Sequence, residues 1–165
     1  MPDFIYKMLT PDHAEPWQAL RMEGARDFPK GFLVTPEEAA AATPEWLRAR
    51  LAGQSYRGVF ADDVLIGFCG YHRNPFARTR HRAEIGPFFV TARAQGSGAA
   101  QILMAGVIAQ ARSDGLVRLE LYVDTENARA IAFYERQGFE RIATHPDSVR
   151  INGQPTDDFF YILRL

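Results

Sequence analysis

The chain has little cysteine, no long apolar run and almost no net charge, and each shortage removes a class of protein. Its single cysteine, Cys69, cannot form an intramolecular disulfide, so no covalent framework holds the fold. It lies in the apolar stretch Leu65 to Tyr71, where it reads as a small core residue. No apolar stretch approaches the ~20 residues needed to cross a bilayer, and Met1 to Thr10 lacks the apolar segment of a signal peptide. A cytoplasmic location is therefore expected. The 19 basic and 20 acidic residues leave a formal charge of −1, which gives no general attraction to nucleic acid or to a membrane surface. His13, His72, His81 and His145 show no metal-ligand spacing and no accompanying cysteine pair, so no metal is expected. Repeats, low-complexity segments and linkers are also missing.

What remains is an ordinary globular composition. The 165 residues are 47% hydrophobic, which disfavours disorder and is enough for one domain over 1–165. Such a domain buries roughly 70% of the surface its unfolded chain exposes.

Hydrophobic periodicity and punctuation divide the chain. Phe4 to Leu9 reads as a strand and His13 to Ala25 as a helix. Residues 27–36, with Pro29, Gly31 and Pro36, read as loop. Thr43 caps a second helix with Pro44 at its first position; it runs to Leu51 and Gly53 ends it. Tyr56 to Ala61 and Val64 to His72 form a hairpin closed at Asp62-Asp63. A polar loop, 73–82, carries Arg73, Arg78, Arg80, His81 and Arg82 and reads as a solvated turn. Strand Ala83 to Val90, helix Gly98 to Ser113, strand Val117 to Val123 and helix Asn127 to Gln137 follow, with Gly115 and Gly138 ending the two helices. Phe139 to Thr144 and Asp158 to Leu165 are the last strands, with a turn at Asn152-Gly153. Strands joined by hairpins, then strands alternating with helices, imply a mixed sheet with helices on its faces.

Two segments carry chemistry. Between the strand ending at Val90 and the following helix lies Arg93-Ala94-Gln95-Gly96-Ser97-Gly98. A strand, a glycine turn and a helix start aim several backbone N–H groups at one point and suit a diphosphate. No Gly-Lys-Ser/Thr follows, so this is not a P-loop, and Gln101 stands where a dinucleotide fingerprint has its third glycine. The second segment is Asn127 to Phe139. Asn127 can cap its helix, and Ala130 and Tyr134 follow three and seven residues on, near one face. Taken singly, Asn127 reads as a cap and Tyr134 as a core aromatic.

Together, Arg93-x-x-Gly96-x-Gly98 and Asn127-x-x-Ala130-x-x-x-Tyr134-x-x-x-Gly138-Phe139 resemble the GNAT superfamily of N-acetyltransferases. The resemblance implies an α+β fold: a mixed, mostly antiparallel sheet of about seven strands with a splayed central pair, flanked by about four helices. It implies acetyl-CoA as cosubstrate. The splayed strands would be Ala83 to Val90 and Val117 to Val123, with the backbone of Phe88, Phe89 and Val90 pairing with pantetheine like an added strand. Arg93, Ala94, Gln95, Gly96, Ser97, Gly98 and Ala99 would hold the diphosphate. Asn127 would contact the pantetheine arm, Ala130 and Phe133 would line its exit, and Tyr134 would stand near the thioester sulfur.

The resemblance also frames the catalytic base. Some relatives carry a glutamate five residues before the motif asparagine, but here that position is Tyr122. Glu84 on the first splayed strand is the preferred substitute and Glu120 on the second comes next. An exposed strand carboxylate with no catalytic role, or a water chain acting as base, is an equal expectation. The acceptor is expected to be the primary amine of a small molecule, contacted by residues 27–42, 73–82 and 145–157. Acetylation of a protein N-terminus or lysine, and a CoA-binding sensor without turnover, are the alternatives. The resemblance leaves a homodimer open.

Overall fold

The structure is a computed structural model and describes residues 2–165. Seven strands form one sheet in the order β1-β2-β3-β4-β5-β7-β6. The strands are β1 (Phe4–Met8), β2 (Tyr56–Ala61), β3 (Val64–Arg73), β4 (Arg82–Val90), β5 (Arg118–Asp124), β6 (Glu140–Ile151) and β7 (Gln154–Arg164). Every neighbouring pair is antiparallel except β4 and β5, which run parallel and are linked by a helical crossover. The helices are α1 (Ala14–Asp27), α2 (Pro36–Ala40), α3 (Pro44–Ala52), α4 (Ala99–Ser113) and α5 (Ala128–Arg136). Among the described residues, no helix is long and apolar enough to cross a membrane.

Side chains pointing to opposite faces of the strands build two cores. On one face Trp17 and Leu20 of α1 and Leu47 and Leu51 of α3 pack on Tyr56, Phe60 and Phe68. On the other, Leu103, Met104, Val107 and Ala111 of α4 pack on Val59, Ile66, Leu119 and Leu121. β3 is buried on both faces, which is why Leu65 to Tyr71 is continuously apolar. Ile102 of α4 is exposed and stands outside the buried stripe of Leu103, Met104, Val107 and Ala111.

Local chemistry sets the element ends. Thr43 Oγ1 accepts from Trp46 N at 3.1 Å, and Pro44 occupies the first helical position. The Asp62-Asp63 turn has φ of 47° and 64°, and the Asn152-Gly153 turn 51° and 77°, the double left-handed geometry of tight hairpins.

Two expectations are corrected. The segment after residue 35 contains a helix, α2, started by a reciprocal cap in which Thr35 Oγ1 accepts from Glu38 N and Glu38 Oε2 accepts from Thr35 N. Residues 145–157, expected as a loop, are mostly strand: β6 and β7 form one long hairpin. Its pairing skips between His145 and Val149, where Asp147 takes φ 48°, so a bulge absorbs the interruption.

Candidate active site

The sheet comes apart at the parallel pair β4 and β5. β4 and β5 are joined over Arg82 to Glu84 and Arg118 to Glu120, yet β4 runs on to Val90 and β5 to Asp124. β5 keeps its partner β7 along its whole length, so the gap opens on the β4 side of β5. A bulge bends β4 at the same place: Ile85 pairs with Tyr71 and Phe88 with Cys69, leaving Gly86 and Pro87 opposite Gly70. A side chain at Gly70 would meet the Gly86 carbonyl at 2.1 Å, so this position must be glycine. His72 Nε2 donates to the same carbonyl at 3.1 Å. From Ile85 to Val90, one edge of β4 has no strand beside it.

Two clefts meet in the gap. The first, about 460 Å³, is lined by Phe88, Phe89 and Val90 of β4, by the turn before α4, and by Ala130, Phe133 and Tyr134 of α5. In that turn Gly96 and Gly98 hold φ of 76° and 95°, and a Cβ on either would enter open space. Gly98 caps α4. Ala99 N is taken by Ser97 Oγ at 3.3 Å and Ser97 N by Ala94 O at 3.3 Å. The N–H groups of Gly96, Gly98, Ala100 and Gln101 have no acceptor among the described residues. Four donors at the start of a 15-residue helix, beside glycines that leave room, fit a diphosphate. Arg129 lines this cleft and donates from Nη1 to Gln95 Oε1 at 2.6 Å, and Arg136 lies about two turns further along α5.

The second cleft, about 660 Å³, opens on the other side of Tyr134. Tyr134, Asn127, Ala130 and Phe88 line both. Asn127 caps α5, its Oδ1 accepting from Ala130 N at 3.1 Å, which leaves its amide donors for the clefts. Tyr134 is buried with its ring against Phe88, Phe133 and Phe139 at 6.1, 5.5 and 5.8 Å. Desolvation, with a smaller contribution from Cys69, raises its hydroxyl pKa above the ordinary value. No protein hydrogen bond contributes to that shift.

Carboxylates line one wall of this second cleft. Glu84 is exposed on the face of β4. Asp124 and Asp158 lie opposite each other across β5 and β7, only 7% and 8% exposed. Lys30 Nζ approaches Asp124 Oδ2 at 3.7 Å and also bonds Glu126. Desolvation raises the Asp158 pKa, Asp124 adds to the rise, and Ser148 and His145 oppose it. Tyr122 sits between His145 and Phe160, with ring separations of 5.5 and 5.0 Å, and its hydroxyl pKa is raised by desolvation and by Glu84 and Glu120.

A sheet split at one parallel pair, with a donor-rich turn on one side of the split, can be compared with known proteins. The model of the acetyltransferase (GNAT) family matches residues 4–139. The chain belongs to the GNAT family. It is 31% identical over 128 residues to a mycothiol acetyltransferase of Brachybacterium faecium, covering 77% of this chain and 38% of that one. It thus spans about two fifths of the length of the curated relatives it matches. A GNAT acetyltransferase of Streptococcus pneumoniae superposes with a TM-score of 0.89 at 18% identity, over 99% of both chains. The protein yncA of Salmonella typhimurium, solved with its cofactor acetyl-CoA, superposes at 0.85 with 16% identity, over 99% of this chain and 94% of that one. These two likenesses concern the fold, and the seven-stranded sheet with five helices is the GNAT architecture.

Within the GNAT frame, the residues singled out from the sequence fall unequally. Phe88, Phe89, Val90, Ala94, Gln95, Gly96, Gly98, Asn127, Ala130, Phe133 and Tyr134 all line the first cleft. Ser97 and Ala99 belong to the same turn, but their N–H groups are already taken, by Ala94 O and Ser97 Oγ, and Arg93 is exposed outside the lining. Of the two carboxylates expected as base, only Glu84 reaches the second cleft. Glu120 is buried, with its two oxygens held by Arg82 Nη1 and Arg118 Nη2 at 2.7 Å each. Arg129 and Arg136 were readable from their spacing with Phe133 on one helical face. Asp124 and Asp158 were not, because only the β5–β7 register brings them together.

Proposed function

We infer that the chain is an N-acetyltransferase that moves the acetyl group of acetyl-CoA onto the primary amine of a small molecule, by direct attack within a ternary complex. The observation that carries this reading is the meeting of the two clefts at Tyr134, one side rich in backbone donors and the other in carboxylates. Acetyl-CoA supplies an activated thioester. The N–H groups of Gly96, Gly98, Ala100 and Gln101 would hold its diphosphate, and the unpaired edge of β4 from Phe88 to Val90 its pantetheine amides. Asn127 and Tyr134 then flank the point where the C–N bond forms and the C–S bond breaks.

Each side chain has a task that its environment supports. The incoming ammonium must lose a proton. Glu84 lines the cleft, in no ion pair among the described residues, and would take it, directly or through water. Tyr134 keeps its proton at neutral pH, because burial raises its pKa above ~10, whereas a thiol ionises near ~8.5. Complete transfer from phenol to thiolate is therefore uphill. Tyr134 serves the developing thiolate as a hydrogen-bond donor, and the proton that ends on sulfur comes from the amine through Glu84 or water.

A small acceptor suits the second cleft better than a protein does. Its volume of about 660 Å³ lies in the range of small-ligand sites, and the β6–β7 hairpin and the helices α1 and α3 wall it in. The test is thiol release from acetyl-CoA with a library of small amines and a library of peptides. Release with small amines and none with peptides is expected. Release only with peptides overturns the small-molecule assignment. No release with either, alongside normal acetyl-CoA binding, overturns the enzymatic one.

A further inference from the structure

The wall of the second cleft opposite its carboxylates carries two guanidinium groups that lack an acid. Arg21 of α1 is 7% exposed, yet no described carboxylate pairs with it. Its Nη1 donates to Gln18 Oε1 at 2.6 Å, and Gln18 is itself fixed by donating from Nε2 to Ala39 O at 2.8 Å. The guanidinium lies 5.1 Å from the ring of Trp17 and 5.0 Å from that of Trp46. Two aromatic faces and one amide thus orient a group with five N–H donors, of which the protein engages one. Arg50 of α3 stands beside it, donating from Nη2 to Tyr56 Oη at 3.1 Å and lying 5.5 Å from Trp46. The third cation of the cleft, Lys30, differs because Asp124 and Glu126 satisfy it. Burial lowers the Arg21 pKa, and Arg50 adds to the lowering, so the site concentrates positive charge at a cost.

We propose that Arg21 and Arg50 form an anion subsite, so that the acceptor is an amine that also carries a carboxylate. A planar carboxylate accepts two parallel hydrogen bonds from a guanidinium, which a pre-oriented Arg21 offers with little further loss of freedom. The path across the cleft runs from Arg50 to Tyr56, from Tyr56 to His72 with ring centres 5.5 Å apart, and from His72 to its strand neighbour Glu84. Positive charge sits at one end and the carboxylates Glu84 and Asp158 at the other. An acceptor with an anion at one end and an ammonium at the other matches both. This subsite rests on the acetyltransferase reading for its amine end, but the binding of the anion does not depend on turnover.

The experiment is calorimetry on the CoA-loaded protein with matched pairs of amines: phenylalanine against phenethylamine, 4-aminobutanoate against butylamine, and 3-aminopropylphosphonate as a tetrahedral anion. At least one carboxylate member should bind ten times more tightly than its neutral partner, and the phosphonate should bind less well than the carboxylate of equal chain length. Arg21→Gln and Arg50→Gln should each bring that ratio close to one, since a hydrogen bond to a charged group is worth about 10-fold or more in affinity. Arg50 is exposed, so its variant reads the subsite even where Arg21→Gln lowers stability. Equal affinities within every pair, no binding by any carboxylate member, or ratios preserved in both variants would overturn the subsite. Tight binding without CoA release in a parallel assay would leave the subsite standing and refute the enzymatic reading instead.

Discussion

Replacing Tyr134 by Phe removes one oxygen from the point where the clefts meet. No group among the described residues bonds that oxygen, so its loss orphans no partner, and the ring keeps its contacts with Phe88, Phe133 and Phe139. Thermal stability should therefore barely change. The hydroxyl matters only when charge grows on the leaving sulfur, and an interaction confined to the transition state acts on kcat. A hydrogen bond to a charged group contributes about 1.5–3 kcal/mol, which at 1.36 kcal/mol per decade is roughly a 10- to 150-fold loss in kcat. The affinity for acetyl-CoA should stay within a factor of about 2–3, since the diphosphate donors lie elsewhere. Because burial raises the Tyr134 pKa above 10, the wild-type and variant pH–rate profiles should have the same shape between pH 6 and pH 9, displaced by a constant factor. Stopped thiol-release assays over that range, with melting curves on the same preparations, provide the numbers. A kcat within twofold of wild type, or a profile whose shape changes, would refute the assignment of the hydroxyl to the leaving group.

Gly98→Val places a β-branched residue at φ 95° and a side chain in the space left for the diphosphate. CoA affinity should fall by more than tenfold, whereas Gly115→Ala, at φ 74° beyond the far end of α4, bears a similar left-handed strain of about 1–2 kcal/mol and should leave affinity intact. Isothermal titration of both variants separates the site effect from the strain. Glu84→Gln should lower kcat/KM most at low pH, where the acceptor is fully protonated; an unchanged profile would make Glu84 a mere surface carboxylate. The raised pKa of Asp158 has the opposite sign from that of a salt-bridged acid. Between the ordinary carboxylate range and that raised value the folded state holds more protons than the unfolded one, so this group's contribution weakens stability as pH rises through the window. Asp158→Asn should remove that decline in denaturant titrations, and a steeper decline would contradict it.

The elements that sequence reasoning located are those whose signals are local. Thr43-Pro44 announces a cap, Asp62-Asp63 a tight turn, and the alternation of Val117 to Val123 a strand, because each depends on neighbours in the chain. The cap of α2 was equally local, since Thr35-Pro36-Glu37-Glu38 spells a reciprocal capping pattern, but the helix is only five residues long and has almost no apolar stripe. Residues 145–151 hid as a loop because Pro146 and the left-handed Asp147 interrupt the alternation, and only pairing with β7 restores a strand. The site divides in the same way. The donor-rich turn and the Asn127-to-Tyr134 face are contiguous segments and were legible. The second cleft draws Arg21, Arg50, Glu84, Asp124 and Asp158 from five elements. Nothing about those residues in isolation separates them from ordinary surface charges, and Glu120 shows the converse, a well-placed carboxylate consumed by two arginines.

The sheet is continuous in name only. Four strands lie on one side of the β4–β5 seam and three on the other, and three residue pairs stitch them. Beyond those pairs, α4 packs mainly on the first panel and reaches the second only through β5. The seam is thus where the native structure yields at the lowest cost, and the amides along β4 from Ile85 to Val90 should exchange with solvent sooner than those within β2 and β3. A pantetheine arm laid in the gap would act as mortar between the two panels. Occupancy and mechanical continuity would then become a single variable: the molecule would be stiffest while it held the arm and would loosen as the arm departed.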